Sequence, residues 1–561
     1  MKKNIMIAAL AMVAMAVQAQ ETYENAKIAA GDLNGTARYV GMGGAMEALG
    51  ADISTIGTNP AGIGLFRKSN ASVSFGIVSQ GDGKSAVGGN KTNVSFDQAG
   101  FVYSSRLNKT SFVNFAFNYH KSRNFNYILS ATDRQLNHAS QNKLTFAKAK
   151  VSALSIADGG DGLLYKQDAQ TPIVQNNEIF YVPDFRNPYI TCNQLDEIYA
   201  RNLNFDEDGN WIYGEADSYQ FDRAHKGYIS DFDFNLSGNI NNRVYLGLTI
   251  GIHDVHYKHY GEYVENAVRN IYYTTDQNGN TITDPGNPYD LTVCDSRTIT
   301  GTGYDVKAGI IIRPVEASPF RIGLSVATPT FYKLTTSNYT TVSDGSHTAA
   351  STGNIDAPER TSYEYKLYTP WKFGLSLGHT IGNNVALGLS YEYADYGSMD
   401  TRYITGEYYD EWGDSYSTRS TSDNVMNNHT ERTLKGVHTL KLGAEYKPEP
   451  SLAIRLGYNY VSPMYNRDGF KDGTLSSDAS YISSATDYTN WEDTHRFTCG
   501  VGYTFNKFNI SLAYQYTTTS GKFHPFMNYV DDDVIDYDNV ADEVKVNNNR
   551  HQLLMTLGYT F

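Results

Sequence analysis

Three histidines lie within seven residues, in His253-Asp254-Val255-His256-Tyr257-Lys258-His259, and could offer imidazole nitrogens to a metal or to haem. On a strand, His253 and His259 share one face and His256 takes the other, so the three converge only if the segment leaves the strand conformation. Asp206-Glu207-Asp208-Gly209-Asn210 and Asp531-Asp532-Asp533 have the carboxylates for calcium. The first places its glycine too early for an EF-hand loop and lacks a bidentate glutamate at the right distance. Both read as solvated acidic loops, able to share divalent cations with surface lipopolysaccharide. Gly41-Met42-Gly43-Gly44 has the glycine content of a phosphate loop but no preceding strand and no Gly-Lys-Ser/Thr. Ser, His and Asp are plentiful, yet neither a nucleophile elbow nor a His-Glu-x-x-His helix is read from the chain. No enzyme, no metal site and no cofactor is expected.

The elements that must carry these residues are strands. The chain has 561 residues, with 44 Tyr against 4 Trp, 49 Gly, 15 Pro and 19% charged residues. That balance favours many strands and turns over helical domains. A formal charge of −14 opposes nucleic acid as a partner. The mean hydropathy of −0.44 argues against a helical membrane protein. It leaves room for a membrane β-barrel, whose strands present their apolar face in alternation. Three cysteines exclude a disulfide scaffold.

Residues 1–19 read as a signal peptide. Lys2 and Lys3 precede the uncharged apolar stretch Ile5 to Val17, and Val17-Gln18-Ala19 offers small-residue chemistry for cleavage before Gln20. No cysteine follows that point, so no lipid anchor is expected there, and the signal peptide implies that the mature chain is exported.

The last twelve residues alternate cleanly. Leu553, Met555, Leu557, Tyr559 and Phe561 share one face; Gln552, Thr556, Gly558 and Thr560 share the other, with Leu554 the exception. A period of two ending on a C-terminal aromatic fits a barrel strand facing lipid. The same alternation recurs upstream, and candidate strands fall at 71–80, 95–105, 110–121, 229–240, 243–260, 297–313, 319–334, 362–380, 384–404, 430–447, 450–463, 493–505, 507–519 and 547–561. Tight and long connections alternate between them, as short periplasmic turns and long external loops require. No blade-sized repeat supports a propeller. The fold class expected is all-β: a transmembrane antiparallel β-barrel of about 14 strands in residues 71–561, set in a bacterial outer membrane. Glycines recur on the polar face, at Gly247, Gly323, Gly374, Gly388, Gly443, Gly457, Gly500 and Gly558, and are expected to leave room inside the barrel.

Residues 20–70 read differently: a compact, glycine-rich stretch ahead of the first strand, suited to a plug in the lumen, with short helical pieces at Ala45–Leu49 and Ser54–Ile56. Gly41-Met42-Gly43-Gly44-Ala45, Asp52, Ser54 and above all Asn59-Pro60-Ala61-Gly62 make the chain resemble the FadL/TodX family of outer-membrane transport proteins. It looks most like the branch often labelled haem receptor. The resemblance implies a fourteen-stranded barrel with an N-terminal hatch in the lumen, whose motif matches Asn59, Pro60, Ala61 and Gly62. It also implies uptake of hydrophobic small molecules, fatty acids being the best-known class.

With the apolar series facing lipid, Lys307, Arg321, Lys372, Glu392, Lys441, Glu445, Arg455 and Arg496 face the lumen. They could hold the hatch or an anionic head group, or pair with one another. Cys192 and Cys294 fall in loops expected outside the cell, where they could form a disulfide, and Cys499 falls on a lipid-facing position. The partners expected are a hydrophobic ligand, outer-membrane lipid and lipopolysaccharide, and the barrel-assembly machinery through the C-terminal strand. Two other readings stay open: a haem receptor, and an adhesin or structural barrel.

Overall fold

The computed structural model describes residues 22–83, 87–144, 172–175, 178–181, 204–205, 211–275, 281–284, 289–343, 348–350, 353–354, 357–358, 361–410, 415–471, 486–528 and 539–561. The signal peptide expected at 1–19, Cys192 and both acidic runs lie outside the described residues.

Fourteen antiparallel strands close into one barrel. They are β1 (Asn70–Gln80), β2 (Thr92–Arg106), β3 (Phe112–Asn124, resuming as Tyr127–Asp133), β4 (Trp211–Ile240), β5 (Val244–Thr275) and β6 (Tyr289–Ile312). Then come β7 (Arg321–Ala327 and Phe331–Ser343), β8 (Thr361–Tyr368 and Lys372–Ile381) and β9 (Val385–Asp395 and Asp400–Asp410). The circuit ends with β10 (Gly436–Glu449), β11 (Leu452–Val461), β12 (Tyr488–Phe505), β13 (Phe508–His524) and β14 (Val544–Thr560). Closure is made by β1 and β14, from Asn70 opposite Thr560 to Gln80 opposite Arg550. Closing the sheet removes every edge, which is what lets a backbone cross hydrocarbon by strands. Among the described residues no helix is long and apolar enough to cross a membrane.

The outward side chains of the lower barrel are apolar and exposed. On β5 they are Leu246, Leu248, Ile250 and Ile252; on β14, Leu553, Met555 and Leu557. From Val244 to Ile252 the strand runs roughly 26 Å at about 3.3 Å per residue, which at the usual tilt of about 35–45° crosses most of an outer-membrane apolar band. Above Ile252 the alternation changes sign. Val255 and Tyr257 now point inward and are buried, while His256 and Lys258 point outward. The strands therefore continue past the membrane as the wall of an ordinary protein, polar outside and apolar inside. This is why β4, β5 and β6 run for 30, 32 and 24 residues, much longer than their alternation suggests, against 11 for β1 and 10 for β11.

Four strands are interrupted, and two interruptions carry prolines. Thr328-Pro329-Thr330 in β7 and Thr369-Pro370-Trp371 in β8 lie side by side, and proline has no N–H for the ladder. The breaks repair each other: Thr330 N–H donates to Thr369 Oγ1 at 2.8 Å and Thr369 N–H to the Thr330 carbonyl at 3.2 Å. The strand expected over 430–447 starts only at Gly436. Residues Asn424–Thr433 form a helix instead, its first turn capped by the Asp423 carboxylate accepting from Met426 N–H at 3.0 Å.

Residues 22–66 lie inside the barrel. Helix α1 (Thr22–Ala29) is at the long-loop end, where the Thr22 hydroxyl meets His429 and Thr430 of the Asn424–Thr433 helix at 3.1 Å each. Helix α2 (Ala37–Gly41) and two 3-10 turns, Ile53–Gly57 and Pro60–Leu65, follow downward. Phe66 leaves at the short-turn end, its carbonyl accepting from Ser104 Oγ at 3.2 Å. Each turn starts at a side-chain cap: Thr36 on Tyr39 N–H, Asp52 on Ser54 N–H, and Asn59 on Ala61 N–H. Ser54–Ile56 falls within the first 3-10 turn. Ala45–Leu49, expected to be helical, forms turns between Gly44 and Gly50, both at positive φ.

Candidate functional site

The lumenal segment is seated backbone against backbone. Eight successive strands, β5 to β12, each turn a glycine toward it: Gly247, Gly309, Gly323, Gly378, Gly388, Gly443, Gly457 and Gly500. A Cβ on Gly247 would strike the Pro60 carbonyl, and one on Gly309 or Gly323 the Asn59 amide. The same atom on Gly378 would strike Ala48, on Gly388 the Ala45 carbonyl, on Gly443 the Met42 carbonyl, and on Gly457 Gly43 N. The room that these glycines leave is thus taken up by the segment. Gly374 and Gly558 do not share this role, since Ser325 faces the first and Asn509 and Ala71 the second. Leu554, the exception in the C-terminal alternation, points inward and packs with Ala37 and Val40 of α2 and with Ala513.

Ion pairs tie the same surface. Arg38 of α2 reaches Glu445 with Nε at 3.1 Å, and Arg455 reaches the same carboxylate at 2.7 Å. Glu47 accepts from Lys441 Nζ at 2.8 Å and from Ser390 Oγ, with Glu392 3.8 Å from Lys441. Arg321 donates to the Leu49 carbonyl at 3.0 Å. Of the eight charges assigned to the lumen, Lys441, Glu445 and Arg321 therefore contact the segment directly, and Arg455 and Glu392 stand behind them. Lys307 instead pairs with Asp305 at 2.8 Å and Asp233 at 3.1 Å; Arg496 donates to Asn459 Oδ1 at 2.7 Å; Lys372 lines the central cavity.

That cavity holds about 360 Å³. The lumenal segment bounds it from Ala26 to Asn34, and Tyr39, Ser54 and Thr58 also reach it. Its wall mixes Ile229, Met464, Tyr465 and Trp491 with Lys307, Lys372, Arg496 and Arg550 and with the carboxylates of Asp231, Asp305 and Glu392. A second chamber of about 90 Å³ shares Arg123, Tyr465, Trp491 and Arg550 with it and adds Phe125, Tyr127, Tyr257 and Tyr488. Tyr23 stacks on Tyr465 there, with ring centroids 5.3 Å apart.

The histidines occupy the wall in the order the strand periodicity predicts. His253 and His259 are buried toward the lumen, and His256 faces outward beside Asp254. Neither buried ring is free for haem. His253 bridges Asp231 at 2.7 Å and Asp305 at 3.1 Å, and His259 Nε2 meets Asp295 at 2.6 Å. His120, at 3.6 Å from both Asp231 and Asp233, closes a ring through His253, Asp305 and Lys307. The carboxylates of this ring went unread in the sequence. Their signal was the same-face spacing in Asp231-Phe232-Asp233 and Asp305-Val306-Lys307.

Two sequence readings need correction. Cys294 lies on β6, not in a loop, on the outer face opposite Glu262 and Thr341; its proposed partner Cys192 is not among the described residues. Gly374-Leu375-Ser376-Leu377-Gly378 also spells the nucleophile-elbow motif letter for letter. It runs straight through β8 without the strand-to-helix turn that exposes a nucleophile, and Ser376 Oγ donates to the Gly323 carbonyl at 3.3 Å.

No protein-family model and no curated protein matches the chain. Solved structures do. A FadL homologue of Pseudomonas aeruginosa is 13% identical, covers 95% of this chain and 100% of its own, and has a TM-score of 0.49. The toluene transporters TbuX of Ralstonia pickettii and TodX of P. putida are each 10% identical, covering 94% of this chain and 99% of theirs, with TM-scores of 0.44 and 0.43. These are likenesses of architecture at low identity. The functional reading rests on this chain's own lumen.

Proposed function

We propose that the protein is an outer-membrane channel of the FadL type for hydrophobic small molecules, long-chain fatty acids among them, with residues 22–66 as its hatch. One observation carries this reading: the central cavity lies within a closed barrel directly against the segment that bears Asn59-Pro60-Ala61-Gly62. Its volume of about 360 Å³ is within the range of small-molecule sites, and its wall offers apolar side chains beside cations that outnumber the carboxylates there. Such a wall suits a molecule with an apolar body and an anionic end. Lys307, Arg321, Lys372, Glu392, Lys441, Glu445, Arg455 and Arg496 serve on this reading to seat the hatch and to line the path. On this reading the barrel sits in outer-membrane lipid, which the apolar band supports, with lipopolysaccharide around it and β14 as the strand that the assembly machinery would take.

The test is mass spectrometry of what co-purifies from native outer membranes in mild detergent, paired with uptake by cells. A bound apolar acid, absent from a variant lacking residues 22–66, is the expected result. Uptake of every tested hydrophobic compound at the same rate with and without the protein would overturn the reading. A bound porphyrin would move it to haem.

A further inference from the structure

The chain carries a formal charge of −14, yet one arc of its short-turn rim is basic. Arg67 and Lys68 follow the lumenal segment where it leaves the barrel. Arg106 and Lys109 lie in the turn from β2 to β3, Arg243 in that from β4 to β5, and Arg313 in that from β6 to β7. These connections touch one another. Thr110 Oγ1 donates to Asn241 Oδ1 at 3.2 Å, Arg67 Nη2 to Asn242 Oδ1 at 2.9 Å, and Arg313 N–H to the Arg243 carbonyl at 2.8 Å. The six cations thus form one continuous patch, and the sole side-chain carboxylate in residues 66–69, 106–111, 241–243 and 313–320 is that of Glu316.

Among the described residues none of the six is paired with an acid. The arginines donate to neutral oxygens: Arg106 Nε to the Asn108 carbonyl at 2.9 Å, Arg243 Nη2 to the Pro314 carbonyl at 2.9 Å, and Arg313 Nε to the Ser318 carbonyl at 2.6 Å. Lys68 and Lys109 are exposed. The opposite arc is balanced. Gly382-Asn383-Asn384 is uncharged, Lys447 lies 3.7 Å from Glu445, and Lys507 stands over the Tyr559 ring at 5.8 Å. Leu107, Ile240, Ile312 and Val315 are exposed beside the basic patch, at the lower limit of the apolar band. That pairing fits a lipid surface, where apolar tips enter the acyl chains and long cationic side chains reach the phosphates. Guanidiniums grip phosphate by charge-assisted hydrogen bonds. An acidic protein would answer the charge but supply no hydrocarbon for Leu107 and Val315.

We propose that this arc binds acidic phospholipids of the periplasmic leaflet. Their phosphates lie on Arg106, Lys109, Arg243 and Arg313, and Arg67 and Lys68 add to the field at the exit of the lumenal segment. The inference uses the outer-membrane placement alone and holds whatever the cargo.

Native mass spectrometry of the full-length protein, released from nanodiscs of equal parts phosphatidylglycerol and phosphatidylcholine, counts the lipids retained. The parent is expected to keep phosphatidylglycerol over phosphatidylcholine about tenfold. Arg106→Gln, Lys109→Gln, Arg243→Gln and Arg313→Gln together should bring the ratio to about one, whereas Lys447→Gln with Lys507→Gln, on the opposite arc, should leave it unchanged. Lys68→Glu with Lys109→Glu should lower it about threefold and carries the test if the fourfold variant fails to fold. No preference in the parent, or the parent's preference in both patch variants, overturns the proposal. Loss of the preference in inorganic phosphate but not in chloride of equal ionic strength would show a free-anion site, and displacement of the lipid by polyglutamate an acidic-protein site; either overturns the lipid assignment.

Discussion

Gly388 and Ala45 meet backbone to backbone: a methyl group on Gly388 would lie on the carbonyl oxygen of Ala45. Gly388→Ala must therefore lift the segment from the wall, at an overpacking cost of about 1–3 kcal/mol. Gly558→Ala is the control, because its nearest neighbour would be Asn509 Cβ at 3.7 Å. Protease cleavage within residues 22–66 should accelerate in the first variant and match the parent in the second.

Lys441 and Glu47 form a buried pair between wall and segment at 2.8 Å. Removing one partner leaves the other charge buried, so Lys441→Met is expected to destabilise the seated state by about 3–5 kcal/mol. Adding Glu47→Gln should restore part of that loss. A double-mutant cycle on segment protection measures the coupling; simple additivity would show that the pair contributes nothing.

Asn59 caps the turn that starts at Pro60, accepting from Ala61 N–H at 3.1 Å. Asn59→Ala is expected to cost roughly 0.5–2 kcal/mol of segment stability. In planar bilayers the variant should pass more frequent current openings than the parent. Equal leak would assign the motif to shape alone.

Asp32 titrates below its ordinary value of 3.8 when seated. For a depressed carboxylate, the stabilisation is complete above the unfolded value and is lost as pH falls through the folded one. Segment protection should therefore be flat from neutrality down to about pH 5 and fall below pH 4. Asp32→Asn should lose that acid-dependent part and begin from a lower plateau.

Leu248 faces lipid within the apolar band, and Lys258 faces outward above it. Leu248→Arg is expected to destabilise the barrel by about 2–4 kcal/mol, and Lys258→Leu to change it little. Unfolding in urea from lipid bilayers separates the two.

Much of this architecture was legible because lipid imposes a simple code. Leu553, Met555 and Leu557 on β14 and Leu246, Leu248 and Ile250 on β5 announce both the strand and its outer face. The code lapses where the membrane ends. Val255 and Tyr257 are apolar on the opposite face, so β5 reads as ending near residue 260 although it continues to Thr275. Cys294 was misplaced for the same reason. Inside the barrel the sequence marks polar faces but not partners: Lys441 and Lys307 look alike, yet one holds Glu47 and the other Asp233 and Asp305. Asp32 lies in a segment without periodicity, and only the closed barrel brings Arg123, Arg496 and Arg550 around it.

The glycine belt has a bearing on assembly. Its members come from eight neighbouring strands, so a sheet lacking any of β5 to β12 presents only part of the seat. A strand displaced by a single residue would turn a lipid-facing side chain inward where a glycine belongs. The segment would then be refused at that point. Residues 22–66 therefore fit fully only against the ordering and register of strands in which all eight gaps line up.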